Sequence, residues 1–210
     1  MLRVEHVMGM PVVVEARDGD VPDEVFDWLH RVDETFSTYK DGSEISRLRR
    51  GELDEADASD DVRWVLRRCR ELRDETAGYF DIDAVGLDPS GYVKGWAVER
   101  AAAILDRAGS SDYAINAGGD IRTRGRWRIG IQHPRESQAV AKVVEGDDLA
   151  IATSGAYERG EPHRHPSPQG GRGVAGGRRS GQSDPWRHAP LYAPAPPAVC
   201  GRTVRSAGDD

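Results

Sequence analysis

Cysteine is scarce in this chain of 210 residues: Cys69 and Cys200 cannot make a disulfide framework and have no zinc-ligand spacing. Cys69 falls on the apolar face of a predicted helix, where a buried thiol is expected. Positive charge is also in deficit. The formal net charge is −7, and no basic stripe runs through the first 160 residues, which excludes a dedicated nucleic-acid binder. Long apolar runs are missing, so no membrane-spanning segment is expected. The opening stretch MLRVEHVMGMPVVVEA has neither a signal-peptide apolar region nor a lipidation cysteine. It reads as two short strands, and the protein as written is expected to be cytoplasmic.

From Glu161 onward another absence sets in. The segment holds one leucine and no isoleucine, phenylalanine or methionine, and it carries most of the 12 prolines together with many glycines and arginines. Such a composition cannot bury enough apolar surface to offset the entropy lost on ordering. Residues 1–160 therefore read as one domain, and 161–210 as a Pro/Gly/Arg-rich disordered tail.

Within the first part, apolar periodicity is plain. A helix is predicted from about Pro22 to Phe36, with Val25, Leu29, Val32 and Phe36 on one stripe and Asp23 and Glu24 at its positive end. FSTYKDGSEISRLRRGE reads as a polar loop. Ser59 caps a second helix whose inner face is Val62, Val65, Leu66, Cys69 and Leu72, and Gly78 ends it. A third helix is predicted over about Val93–Ala108, stopped by Gly109. Strand signals follow at 112–116, 120–124, 127–132, 139–144 and 148–153. Helices first and a meander of strands later predict an α+β fold, with helices packed on antiparallel sheet.

Four stretches can carry chemistry. LDPSGYVKGW sets Ser90, Gly91 and Lys94 at a helix start, where free N–H groups, the helix dipole and a cation suit a phosphate; a tight turn with a solvated lysine is the plainer alternative. The P-loop spacing is absent. Gly118-Gly119 is either a hairpin turn or a place where backbone closely approaches a ligand, with Asp120 as polar anchor. Tyr39, in its polar loop, is either a core-edge residue or a stacking surface for a flat ring. ATSGAYERG offers Thr153, Ser154 and Glu158 without the G-x-S-x-G elbow of a serine hydrolase.

Taken in order, MGMP (8–11), FSTYKDGSEISRL (36–48), GYFDID (78–83), DPSGYVKGWAVERA (88–101), INAGGDI (115–121), WRIGIQHPR (127–135) and AIATSGAYERG (150–160) resemble the ApbE family, the FAD:protein FMN transferases. The resemblance covers roughly residues 4–160. It implies an ApbE-like flavin-transferase domain that takes FAD, splits its pyrophosphate, leaves FMN ester-linked to a Thr or Ser hydroxyl of a target protein, and releases AMP. It implies Mg²⁺ to neutralise the pyrophosphate. It also implies that Met8, Tyr39, Tyr79, Phe80, Asp81, Asp88, Lys94, Asn116, Gly118, Gly119, Asp120 and His133 line the FAD site, with the Gly91 carbonyl as a metal ligand.

After TSGAYE, the family continues with a His-Ile strand carrying the candidate base and later a helix with two further metal ligands. Neither is recognisable here, so the C-terminal part of the domain is incomplete; His163 is the residue nearest the expected base. A reading-frame change near Glu161 accounts for the break. Read one base later, the codons of Pro162-His163-Arg164-His165 permit His-Ile-Val-Ile. A chain with this tail is expected to bind Mg²⁺ weakly and to transfer little flavin. Two other readings share the same residues: a Mg²⁺-dependent FAD pyrophosphatase, and a non-catalytic flavin-binding protein.

Overall fold

The computed structural model describes residues 1–133, 136, 139–153 and 201–203, the last three as backbone. The predicted tail otherwise lies outside the described residues.

The chain opens with a hairpin, β1 (Leu2–Val7) and β2 (Met10–Ala16), in register from Leu2–Glu15 to Val7–Met10. Its two-residue turn is Met8-Gly9, both at positive φ (53° and 71°). That is the geometry whose twist matches the flanking strands. Four α-helices then precede the other strands, the first three being α1 (Asp23–Phe36), the short α2 (Glu44–Arg49) and α3 (Asp60–Glu75). As expected, the Ser59 side chain caps α3 by accepting from the Val62 N–H. The helix ends one step differently from the expectation. Ala77 takes the first position past the cap in the left-handed conformation (φ 51°), and Gly78 follows it, also at positive φ (81°). Bonds from Ala77 N–H to Asp74 O and from Gly78 N–H to Arg73 O close the Schellman motif.

The loop expected over 36–52 contains α2. Its apolar pattern is too short to show a period, yet its ends were readable: the Ser43 side chain accepts from the Ser46 N–H, Glu44 opens the helix, and Arg47 and Arg49 close it. The last helix, α4 (Ser90–Arg107), starts three residues before the predicted point. The Asp88 carboxylate accepts from the Ser90 N–H at 2.9 Å and so satisfies an otherwise orphaned donor.

β3 (Tyr113–Ala117) and β4 (Asp120–Arg124) form a second tight hairpin through Gly118-Gly119. The first sheet is antiparallel in the order β1-β2-β3-β4-β7, with β7 at Ala150–Ile151. One face packs under the helices. Val12, Val14, Tyr113 and Ile115 are fully buried there with Phe26, Leu29, Leu66 and Leu105. Each such side chain contributes about 1.5–3 kcal/mol of burial. Trp28, Phe36 and Trp64 close around Trp96 of α4, with ring centroids 5.2–6.1 Å apart.

The second sheet has the order β6-β5-β8, with β5 at Arg126–Gln132, β6 at Val140–Asp147 and β8 at Gly201–Thr203. Trp127 and Ile129 of β5 pack with Ala114 and Ile121 from the other face of the first sheet. Arg17, just past β2, lays its guanidinium 3.5 Å over the Trp127 ring. The helices-on-antiparallel-sheet expectation holds.

Candidate functional site at the two hairpin turns and the α4 N-terminus

Antiparallel pairing brings Val12 opposite Ala117, so the Met8-Gly9 and Gly118-Gly119 turns lie side by side at one end of the first sheet. They pack closely: a Cβ added at Gly118 would come 2.6 Å from Met10 Sδ. Gly118 and Gly119 have φ of 55° and 92°, and the Asn116 side-chain oxygen accepts from the Gly119 N–H at 3.0 Å. The hairpin alternative therefore explains both glycines, and the close approach at Gly118 is to Met10.

Just past this turn, β4 runs beside α4 and the two are joined by three ion pairs. Lys94 Nζ lies 3.2 Å from Asp120 Oδ1, Arg122 Nε lies 3.1 Å from Glu99 Oε2, and Arg124 lies 3.0 Å from Asp106 Oδ1. In the last two the helix supplies the acid and the strand the base. The first is reversed, and it is also the buried one: the Asp120 side chain is 6% exposed and that of Lys94 21%. Burial pushes the Asp120 carboxyl above the ordinary carboxylate range, and Lys94 opposes that shift. Asp120 Oδ1 also accepts from the Thr153 N–H at 3.5 Å, whereas buried Oδ2 has no hydrogen-bond partner among the described residues. Asp120 further lines a shallow groove with Gly95, Val98, Arg122, Ile151 and Ala152.

Below the α4 N-terminus, Phe80 packs against Gly91, where a Cβ would meet its ring at 3.4 Å. The Thr76 hydroxyl accepts from the Phe80 N–H. Asp81 turns inward on its own loop. Its Oδ1 accepts from the N–H groups of Asp83 and Ala84, and Oδ2 lies 3.4 Å from Arg73. Tyr79 is more than half exposed, and Tyr39 stands out on the α1–α2 loop at 94% exposure. Met8 is half-buried against the core. His133 belongs to the second sheet, just past β5, where its N–H donates to Ala139 O. His163 lies outside the described residues.

The structure thus gathers Met8, Asn116, Gly118 and Gly119 at the paired turns, Lys94 and Asp120 at the head of the α4–β4 interface, and Phe80, Asp88 and Gly91 around the start of α4. Sequence reasoning missed Met10 as the residue that seats the second turn against the first; the M-G-M-P spelling was the available signal. It also missed the Lys94–Asp120 pairing. No group of three or more His, Cys, Asp or Glu side chains stands together as a metal centre among the described residues, and none of their helices is long and apolar enough to cross a membrane.

Comparison with known proteins bears on this geometry. Over 84 residues the chain is 39% identical to a Vibrio cholerae protein named FAD:protein FMN transferase, a match covering 37% of this chain and 25% of that protein. A Rhodobacter capsulatus protein of the same name is 41% identical over 81 residues, covering 36% of this chain and 16% of its own length. The matched segments thus span a quarter or less of these relatives. Among solved structures, the flavin transferase ApbE of Vibrio cholerae superposes with a TM-score of 0.64 at 22% identity, over 79% of this chain and 74% of that one. Pseudomonas stutzeri flavinyl transferase ApbE in its apo form gives 0.60 at 25% identity, over 75% and 70%. The ApbE family model matches residues 8–86 and 83–172, running past the AIATSGAYERG motif that ends at residue 160. By that match, which takes in most of the chain, the protein belongs to the ApbE family.

Proposed function

We propose that the protein is an FAD:protein FMN transferase, which binds FAD at the end of the sheet where the two hairpin turns meet α4. The observation that carries this reading is Lys94, a cation held at the N-terminal end of a helix that has no acidic residue in its first turn. Positive potential from the helix and the ammonium group together suits a pyrophosphate. Tyr39 and Tyr79 offer exposed aromatic faces for the flat rings of FAD. Met8, Phe80, Asp81, Asp88, Asn116, Gly118 and Gly119 shape the surrounding wall, and His133 is included from the family resemblance.

In the transfer step, the hydroxyl oxygen of an acceptor Thr or Ser on a target protein bonds to the FMN phosphorus. The phosphorus–oxygen bond to the AMP phosphate breaks, AMP leaves, and the hydroxyl proton passes to a base. His163 stands nearest the place where the family resemblance puts that base. The chain's own described groups orient the substrate: Lys94 draws in the negative charge, and the rigid turns fix the approach. Dependence on Mg²⁺ rests on the resemblance. The described residues by themselves do not fit a metal centre.

We further propose that the altered composition after Glu161 reflects a lost reading frame. The test compares this chain with one restored to the His-Ile frame. Each is incubated with FAD, with and without Mg²⁺, and with an acceptor protein bearing the target Thr or Ser. Covalent flavin fluorescence on a denaturing gel, stronger by about tenfold or more with the restored chain and dependent on Mg²⁺, is the expected result. AMP release without an acceptor protein would assign a pyrophosphatase instead. FAD binding with neither product would assign a flavin-binding protein.

A further inference from the structure

Asp120 does not fit the part of a direct ligand contact. The residue is 4% exposed, and its nearest charged neighbour is Lys94 of its own chain. It also does not fit the part of a stabilising ion pair. Its two sister pairs along α4 and β4 place the acid on the helix and the base on the strand, nearer the surface, where desolvation costs little. Here the polarity is inverted. The arrangement buries a carboxylate, leaves Oδ2 without a donor among the described residues, and sets a lysine near the positive end of a helix dipole. Each of those three features is unfavourable to folding. Their common result is that one ammonium group is fixed at the head of α4, next to the Gly118-Gly119 turn.

We infer that Asp120 is the positioning residue for Lys94, tethering its ammonium group so that it meets the pyrophosphate of an incoming dinucleotide already in place. This inference rests on the flavin reading for the identity of the dinucleotide. Asp120 acts through Lys94 and touches no substrate atom. A lysine with four rotatable bonds loses rotamer freedom when it is tied down. Asp120 has that ordering complete before the ligand arrives, which lowers the cost of binding.

The test is a double-mutant cycle on the full chain, read by FAD titration, with Asp120→Asn, Lys94→Met and the double variant. Asparagine keeps the shape of the side chain, and a melting curve confirms that each variant is folded. Asp120→Asn is expected to weaken FAD binding about tenfold on the unsubstituted background and less than about twofold in the presence of Lys94→Met. Equal weakening on both backgrounds, or none on the first, would overturn the inference. A second measurement needs no FAD. In ¹⁵N-lysine-labelled protein, the Lys94 ammonium signal is expected to be protected from hydrogen exchange and to lose that protection with Asp120→Asn. No change at Lys94 with FAD binding intact overturns this inference alone; failure of the unsubstituted chain to bind FAD overturns the flavin reading along with it.

Discussion

The two ends of the α4–β4 interface are made of the same parts and arranged in opposite ways. At the far end, Asp106 sits in the last turn of α4, bonded to the Tyr113 hydroxyl at 2.8 Å and to Arg124, with both charged side chains open to water. Beside it, Asp18 accepts from the Ser110 hydroxyl and from the Ser111 and Asp112 N–H groups, stapling the loop after α4 to the chain beyond β2. Asp112 Oδ1 is buried there without a hydrogen bond, but the Arg17 guanidinium stands 3.6 Å from it on a half-exposed pair. At the near end, Asp120 is buried with an oxygen unmatched, and Lys94 lies against the helix dipole. Ordinary stability explains the first end. The second keeps an arrangement that folding alone would not favour, and that departure supports the proposed ligand site.

The sharpest way to break this comparison is Lys94→Met. It leaves Asp120 buried without its cation, and a loss of about 3 kcal/mol is expected in denaturant unfolding. Removing a charge-assisted contact is expected to cost about tenfold to a hundredfold in FAD affinity, read by titration. Next comes the matching change at the far end. Arg124→Ala is expected to cost no more than about 1 kcal/mol and to leave FAD affinity unaltered, since that pair is exposed and distant from the turns. Comparable FAD effects from the two variants would erase the distinction between the ends.

A third test uses pH. The hydrogen bonds from Ser110 and Ser111 hold the Asp18 carboxyl well below the usual range. A group with a depressed folded pKa contributes stability above its unfolded value, near 3.9, and loses it as pH falls toward the folded value. Asp18→Asn is therefore expected to melt at a lower temperature than the unsubstituted chain at pH 7, with the gap narrowing below about pH 4. Asp120 has the opposite sign, because its raised pKa makes ionisation a cost to the folded state that acid relieves. The smallest effect is expected from Ala77→Gly. It removes a left-handed alanine at the end of α3 and is expected to add about 0.5–1 kcal/mol without altering FAD affinity.

What could be read from the sequence follows the range of the interactions. α1 and α3 were legible because their apolar residues recur on one stripe and Ser59 announces a cap. The β3–β4 hairpin was legible from Gly118-Gly119. α2 was not, since six residues show no period. The first hairpin turn was visible as a motif but not as a conformation, because Met8 takes a positive φ that its residue type does not advertise. Most of the candidate site residues could be named from local motifs. Their arrangement could not. Lys94 and Asp120 are brought together only by packing α4 on β4, and Met10 meets Gly118 only through the β2–β3 register. In the second sheet β5 and β6 were legible as strands, but β8 falls at 201–203, in the stretch expected to be disordered, and the packing through Trp127 and the Arg17 guanidinium depends on contacts between distant segments.

The central claim is that the head of α4 beside the two hairpin turns holds FAD. Equilibrium titration of FAD into the full 210-residue chain, repeated with Lys94→Met, tests it most directly. The account predicts saturable binding at one site per chain, weakened at least about tenfold by the substitution. No saturable binding, or binding that Lys94→Met leaves unchanged, would contradict it.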